Sequence, residues 1–185
     1  MGDEKAFSVL FKKYYGQLTR YGTSFAPFDE KVKDCIQDVF ADIWVYRELL
    51  NETVVVKAYL LSSVRKRMAR LREREHIFHQ TDSIDSLKFL LDFSVEHHLI
   101  ADEVTAQKVA HLNKLLNNLP GRQKESLYLR YHQGLSVEEV AAIMQVNYQS
   151  ANNLLHRALL HLRKEWKEDF SLLLLLCSVY PEVFF

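Results

Sequence analysis

Phe7, Leu10, Phe11, Tyr14, Leu18 and Tyr21 recur at the i, i+3, i+4, i+7 spacing of a helix with one apolar stripe. Pro27 interrupts that pattern, and Asp29 is placed to start a second helix, in which Val32, Ile36, Val39, Phe40 and Ile43 repeat the stripe. After a connection over residues 47–53, a third helix turns Ala58, Leu61, Val64, Met68 and Leu71 inward and ends near Glu75 or His79. Three mutually facing stripes predict one helical bundle over residues 1–80. Periodicity weakens over residues 81–98, which read as a linker, partly helical through 87–91. Val104, Val109, Leu112, Leu115, Leu116 and Leu119 then restore a helix that Pro120-Gly121 stops, and residues 123–131 form another, closed by Gly134.

The next stretch predicts a helix-turn-helix. Ser136-Val137-Glu138-Glu139 has the residues of a capping box, in which Ser136 and Glu139 each bond the other's backbone amide. The helix it opens buries Val140, Ala141 and Ile143, and small Ala141 lets a second helix cross closely. A turn over residues 144–147 leads to that second helix, capped by Asn147. Ala151, Leu155, Ala158 and Leu162 form its inward face. Tyr148, Gln149, Ser150, Asn152, Asn153, His156 and Arg157 are left for a major groove. Residues 99–169 thus read as a second, four-helix domain, and 170–185 as an apolar tail that folds back over a domain surface or docks on a partner.

Five Gly and three Pro leave little material for turns, so the chain is expected to be all-α: two helical domains joined by an acidic linker. A formal net charge of zero argues against coating nucleic acid by bulk charge. The charges are uneven, however. Arg65, Lys66, Arg67, Arg70, Arg72 and Arg74 crowd one helix, whereas Asp82, Asp85, Asp92, Glu96, Asp102 and Glu103 follow it. Cys35 and Cys177 have no ligand-like spacing, which disfavours a disulfide framework or a zinc site and suits the cytoplasm. His76 and His79, with His97 and His98, are the best metal candidates, but no HExxH or paired ExxH pattern accompanies them. No cofactor is expected. The amino terminus carries no apolar signal region, and no apolar run is long enough to insert in a membrane.

Several separate stretches resemble the extracytoplasmic-function group of the sigma-70 family, from about Ala6 to Trp166. Asp38-Val39-Phe40-Ala41-Asp42-Ile43-Trp44 is similar to a segment of that family's region 2, and Lys57-Ala58-Tyr59-Leu60-Leu61-Ser62-Ser63-Val64-Arg65 to the start of its basic helix. Leu119-Pro120-Gly121-Arg122-Gln123 and Leu129-Arg130-Tyr131 resemble the opening of region 4. Gly134-Leu135-Ser136-Val137-Glu138-Glu139-Val140-Ala141 resembles its helix-turn-helix, and Leu155-His156-Arg157-Ala158 its end.

The resemblance implies a non-catalytic initiation factor that binds core RNA polymerase and promoter DNA. It also implies an anti-sigma factor, often membrane-anchored, as a further partner. Asp38, Asp42 and Trp44 match the segment that docks on the polymerase clamp, whereas Phe40 is expected in the core. Arg65, Lys66, Arg67, Arg70 and Arg72 match the region that meets the minus-10 element, where cations on successive turns follow phosphates. Asn51 lies in the loop that captures an extruded base. Tyr148, Gln149, Ser150, Asn152, Asn153, His156 and Arg157 would face the minus-35 element; the amides suit adenine edges and Arg157 a phosphate.

Four positions depart from the family pattern. Gln145 replaces the usual turn glycine and demands a strained backbone or a different turn. Asn152 and Leu154 stand where Lys and Arg are usual, which lowers the expected phosphate affinity, and Lys66 replaces an Asn. A free-standing helix-turn-helix regulator would share the carboxy-terminal domain, but the amino-terminal bundle offers it neither a clear dimer interface nor a ligand pocket.

Overall fold

The computed structural model describes residues 3–25, 29–50, 55–79, Phe89 and 103–166. All the regular structure among them is helical. Three helices occupy the first compact unit, residues 1–90: α1 (Glu4–Thr23), α2 (Asp29–Tyr46) and α3 (Val56–His79), with a 3₁₀ turn at Arg47–Leu49. Asp3 caps α1 by accepting from the amides of Lys5 at 2.8 Å and Ala6 at 3.1 Å, which satisfies donors that a helix start otherwise leaves orphaned.

The bundle core follows the stripes. Leu18 and Tyr21 of α1, Val32, Ile36, Val39, Phe40 and Ile43 of α2, and Leu60, Leu61, Val64 and Met68 of α3 are all buried. Every pair of these helices is in contact. At Gly22, α1 passes close to its neighbours: a Cβ there would lie 2.6 Å from Val32 Cγ1 and 3.6 Å from Val64 Cγ1. Phe89 lies within the stretch expected to be linker, yet it is buried. Its ring sits 5.4 Å from Phe25 and 6.2 Å from Tyr21. Burying a phenylalanine stabilises by about 1.5–3 kcal/mol, which favours holding this side chain against the core.

The second unit, residues 91–185, contains α4 (Glu103–Asn117), α5 (Gly121–Leu127), α6 (Val137–Met144) and α7 (Tyr148–Glu165). Leu112, Leu115, Leu116 and Leu119 meet Leu127, Leu155, Ala158, Leu162 and Trp166 in one apolar cluster. The helix after Pro120 departs from a regular α-helix at its end. Residues Tyr128–His132 widen into a π turn, in which the Gln133 amide donates to the Tyr128 carbonyl at 3.0 Å. Gly134 at φ 67° then reverses the chain. Sequence periodicity locates the helix but not this change in its bonding, because a single π turn leaves the apolar spacing nearly intact.

Among the described residues no helix is long and apolar enough to cross a membrane, and no group of His, Cys, Asp and Glu is gathered that could hold a metal. Asn51, the acids at 82–102, His97, His98, Cys177 and the tail at 170–185 lie outside the described residues. So do the side chains of His76 and His79.

Candidate nucleic-acid interfaces

The helix-turn-helix is built by its caps. Ser136 Oγ accepts from the Glu139 amide at 3.2 Å, and the Ser136 amide donates to Glu139 Oε2 at 2.7 Å, so both halves of the capping box are made. At the other end of α6, Gln145 adopts the left-handed conformation, φ 55° and ψ 46°. That is the strained backbone its position in the turn demands. The Val146 amide reaches back to the Ala141 carbonyl at 3.0 Å and the Gln145 amide to the Ala142 carbonyl at 3.4 Å, the paired bonds of a Schellman ending. Two residues later Asn147 Oδ1 accepts from the Ser150 amide at 2.7 Å and starts α7. Arg130 braces the entry by donating to the Leu135 carbonyl at 2.6 Å.

These caps fix which side of α7 faces out. Ala151, Leu155, Ala158 and Leu162 are buried against α5, α6 and α4. Gln149, Asn152, Asn153, His156 and Arg157 are exposed, Tyr148 is half exposed at the helix start, and Ser150 is half-buried. The exposed side chains fall at i, i+3, i+4, i+7 and i+8, a single stripe. Gln149 Nε2 donates to Asn153 Oδ1 at 3.2 Å, which orients both amides along that stripe. The same surface continues to Leu160, His161, Arg163 and Lys164, all exposed and none anticipated as contacts. Their signal was present in the sequence, since a helix running to Glu165 carries its outer face two turns beyond Arg157.

The basic helix of the first unit differs from the expected row of free cations. Lys66 and Arg70 are exposed one turn apart, and Arg72 is half-buried. Arg65, expected on the same basic face, is buried at 7% exposure. It lies four residues after Leu61 and three before Met68, so helical geometry turns it to the inward side. Arg67 is also engaged. Its Nη1 donates to Asp38 Oδ2 at 3.0 Å and its Nη2 to Asp42 Oδ2 at 2.5 Å, joining α3 to α2. Asp38 and Asp42, expected as open acids awaiting a basic partner, already share one guanidinium.

Trp44 is half-buried. It meets Phe7 edge-on at 5.0 Å, and the Arg47 guanidinium lies 5.1 Å from its ring centre. Phe40 is in the core, packed against Phe7 and Phe11. Near the α2–α3 connection, Tyr46, Leu49, Val55, Val56 and Tyr59 leave apolar surface exposed, with Leu49 82% exposed. Sequence reasoning passed over these residues, although the valine run before Lys57 marked them. Cys35 is buried and reduced; burial pushes its thiol up, against the opposing pull of Arg67.

Residues 111–162 match the family described as Sigma-70, region 4. The ECF RNA polymerase sigma-E factor of Escherichia coli K12 is 25% identical over 177 residues, covering 85% of this chain and 84% of that protein. The sigma-E factor of Shigella flexneri matches equally. Among solved structures, the sigma factor RpoE of Bartonella quintana, in complex with the anti-sigma factor NepR, superposes with a TM-score of 0.59 at 22% identity. It covers 89% of this chain and 99% of its own. CnrH, in complex with the cytosolic domain of CnrY, gives 0.55 at 19% identity over 88% of each chain.

Proposed function

We propose that this chain, a sigma factor of the extracytoplasmic-function group of the sigma-70 family, directs core RNA polymerase to particular promoters and helps open the minus-10 duplex. The observation that carries this reading is the single exposed stripe on α7 presented by a fully capped helix-turn-helix. Gln149, Asn152 and Asn153 supply amides suited to adenine edges in the minus-35 major groove. His156 and Arg157, with Arg163 and Lys164 further along, supply cations for phosphate. Such a face, poor in early cations, holds DNA weakly by itself, since phosphate contacts carry most of the affinity.

The first unit supplies the other half. Lys66 and Arg70 follow the phosphates of the minus-10 strand, with Asn51 in the neighbouring loop as an edge contact. Asp38, Asp42 and Trp44 dock on the polymerase clamp. Trp44, half-buried against Phe7, is shaped as an anchor that a partner can finish covering. An anti-sigma factor is the regulatory partner, as for the Bartonella quintana relative. We place the protein in the cytoplasm, where polymerase acts, and assign no catalysis to the chain itself.

Reconstitution tests this. The purified chain is added to core polymerase and run-off transcripts are collected from a library of genomic promoter fragments. Promoter-specific transcripts that vanish without the chain are expected, and tight promoter binding should require core. A chain that binds an operator alone and fails to co-purify with core would be a free-standing regulator instead.

A further inference from the structure

The Arg67 fork joins a surface read as polymerase-docking to a helix read as DNA-binding. Asp38 and Asp42 stand one turn apart on α2, with side chains 64% and 55% exposed; that of Arg67 on α3 is 28% exposed. Each terminal nitrogen of the guanidinium holds its own carboxylate. A phosphate seeks that same planar, two-pronged edge. The acids and a nucleic-acid backbone therefore compete for one group.

We propose that Arg67 is a latch between the two surfaces: Asp38 and Asp42 sequester it in the free chain, and basic groups docking on those acids release it toward the DNA backbone. The proposal rests on the reading above that α2 meets core polymerase and α3 meets promoter DNA. Charge favours it. Two carboxylates and one guanidinium sum to a single negative charge, which repels phosphate until a cationic partner takes the acids. Weakness favours it too, because ion pairs this exposed exchange readily, whereas a buried pair would stay shut. The bundle does not depend on the fork for its shape, since Ile36, Val39, Leu60, Val64 and Met68 pack the three helices beneath it.

Three variants of the full chain test the latch: Arg67→Ala, the double change Asp38→Asn with Asp42→Asn, and all three together. Core affinity is measured by titration with labelled chain, and affinity for a single-stranded oligonucleotide by anisotropy at low salt without core. Arg67→Ala is expected to bind core several-fold more tightly, because the acids lose their internal competitor. The double variant is expected to bind the oligonucleotide several-fold more tightly than wild type, and adding Arg67→Ala should remove that gain. An unchanged or weakened core affinity for Arg67→Ala at an unaltered thermal midpoint overturns the latch. So does a gain in oligonucleotide binding that survives in the triple variant, since charge removal alone then explains it. If Arg67→Ala unfolds, Arg67→Lys, which engages the acids through a single ammonium, should give an intermediate gain in core affinity; none overturns the proposal. The docking reading has its own arm. Should the double variant keep wild-type core affinity, that reading fails whatever Arg67 does.

Discussion

Replacing Gln145 by glycine should stabilise the helix-turn-helix. Gln145 sits at φ 55° and ψ 46° and its side chain is exposed, so the substitution removes strain without removing packing. An L residue in the left-handed region costs about 1–2 kcal/mol, and glycine enters it freely. Glycine gives back about 0.4–1 kcal/mol through the larger freedom of its unfolded chain. Taken at mid-range, the balance favours glycine by about 0.5–1 kcal/mol, equivalent to a rise of about 2–8 °C in the midpoint of a unit this size. The two tryptophans provide a local assay. In a Trp44→Phe background only Trp166 remains, buried and stacked on His111 at 5.5 Å, so its fluorescence follows the second unit alone. A midpoint for Gln145→Gly equal to or below that of the background would refute the strain argument. Because the turn geometry is already native, promoter affinity of the holoenzyme should not change.

Gly22→Ala should instead destabilise the first unit by about 1–3 kcal/mol, since overpacking a filled core forces side chains and backbone apart. The added methyl would meet Val32 Cγ1 at 2.6 Å, and chemical denaturation of the full chain reads the loss. Ser136→Ala removes the hydroxyl half of the capping box and should cost about 1 kcal/mol, seen as faster amide exchange in α6. The start of α6 also holds the Glu138 carboxyl below its ordinary range, through its own backbone amide first and Ser136 second. The sign follows from that direction: the contribution is present above the unfolded pKa and fades as pH falls through the lower folded value. Glu138→Gln should therefore lower the second unit's stability slightly at neutral pH and flatten its acid limb, while leaving stability below the folded pKa nearly unaffected.

The caps were legible because they are local. Ser136, Glu139 and Asn147 satisfy amides within three residues of themselves, so their spacing in the chain is their geometry in space. The stripe at Ala151, Leu155, Ala158 and Leu162 was legible for the same reason, and with it the outward face of α7. Gln145 belongs here too: a non-glycine residue at a helix-reversing turn must either accept the left-handed region or rebuild the turn, and it accepts it.

Other features needed the fold. Arg65 and Lys66 are adjacent and chemically alike, but a 100° step around α3 buries one and exposes the other; the stripe at Leu61, Val64 and Met68 marks the inner side, and the packing of α2 and α1 decides how completely Arg65 is covered. Phe89 looks like one of several apolar residues in a weakly periodic stretch until Tyr21 and Phe25 supply its neighbours. The Arg67 fork spans 25 and 29 residues of sequence, a pairing that no local pattern encodes. Sequence by itself determined what neighbours along the helix must do: cap, stripe and turn. Tertiary structure decided which charges are spoken for, because an ion pair depends on which two helix faces meet, and that is settled by the apolar core beneath them rather than by the charges themselves.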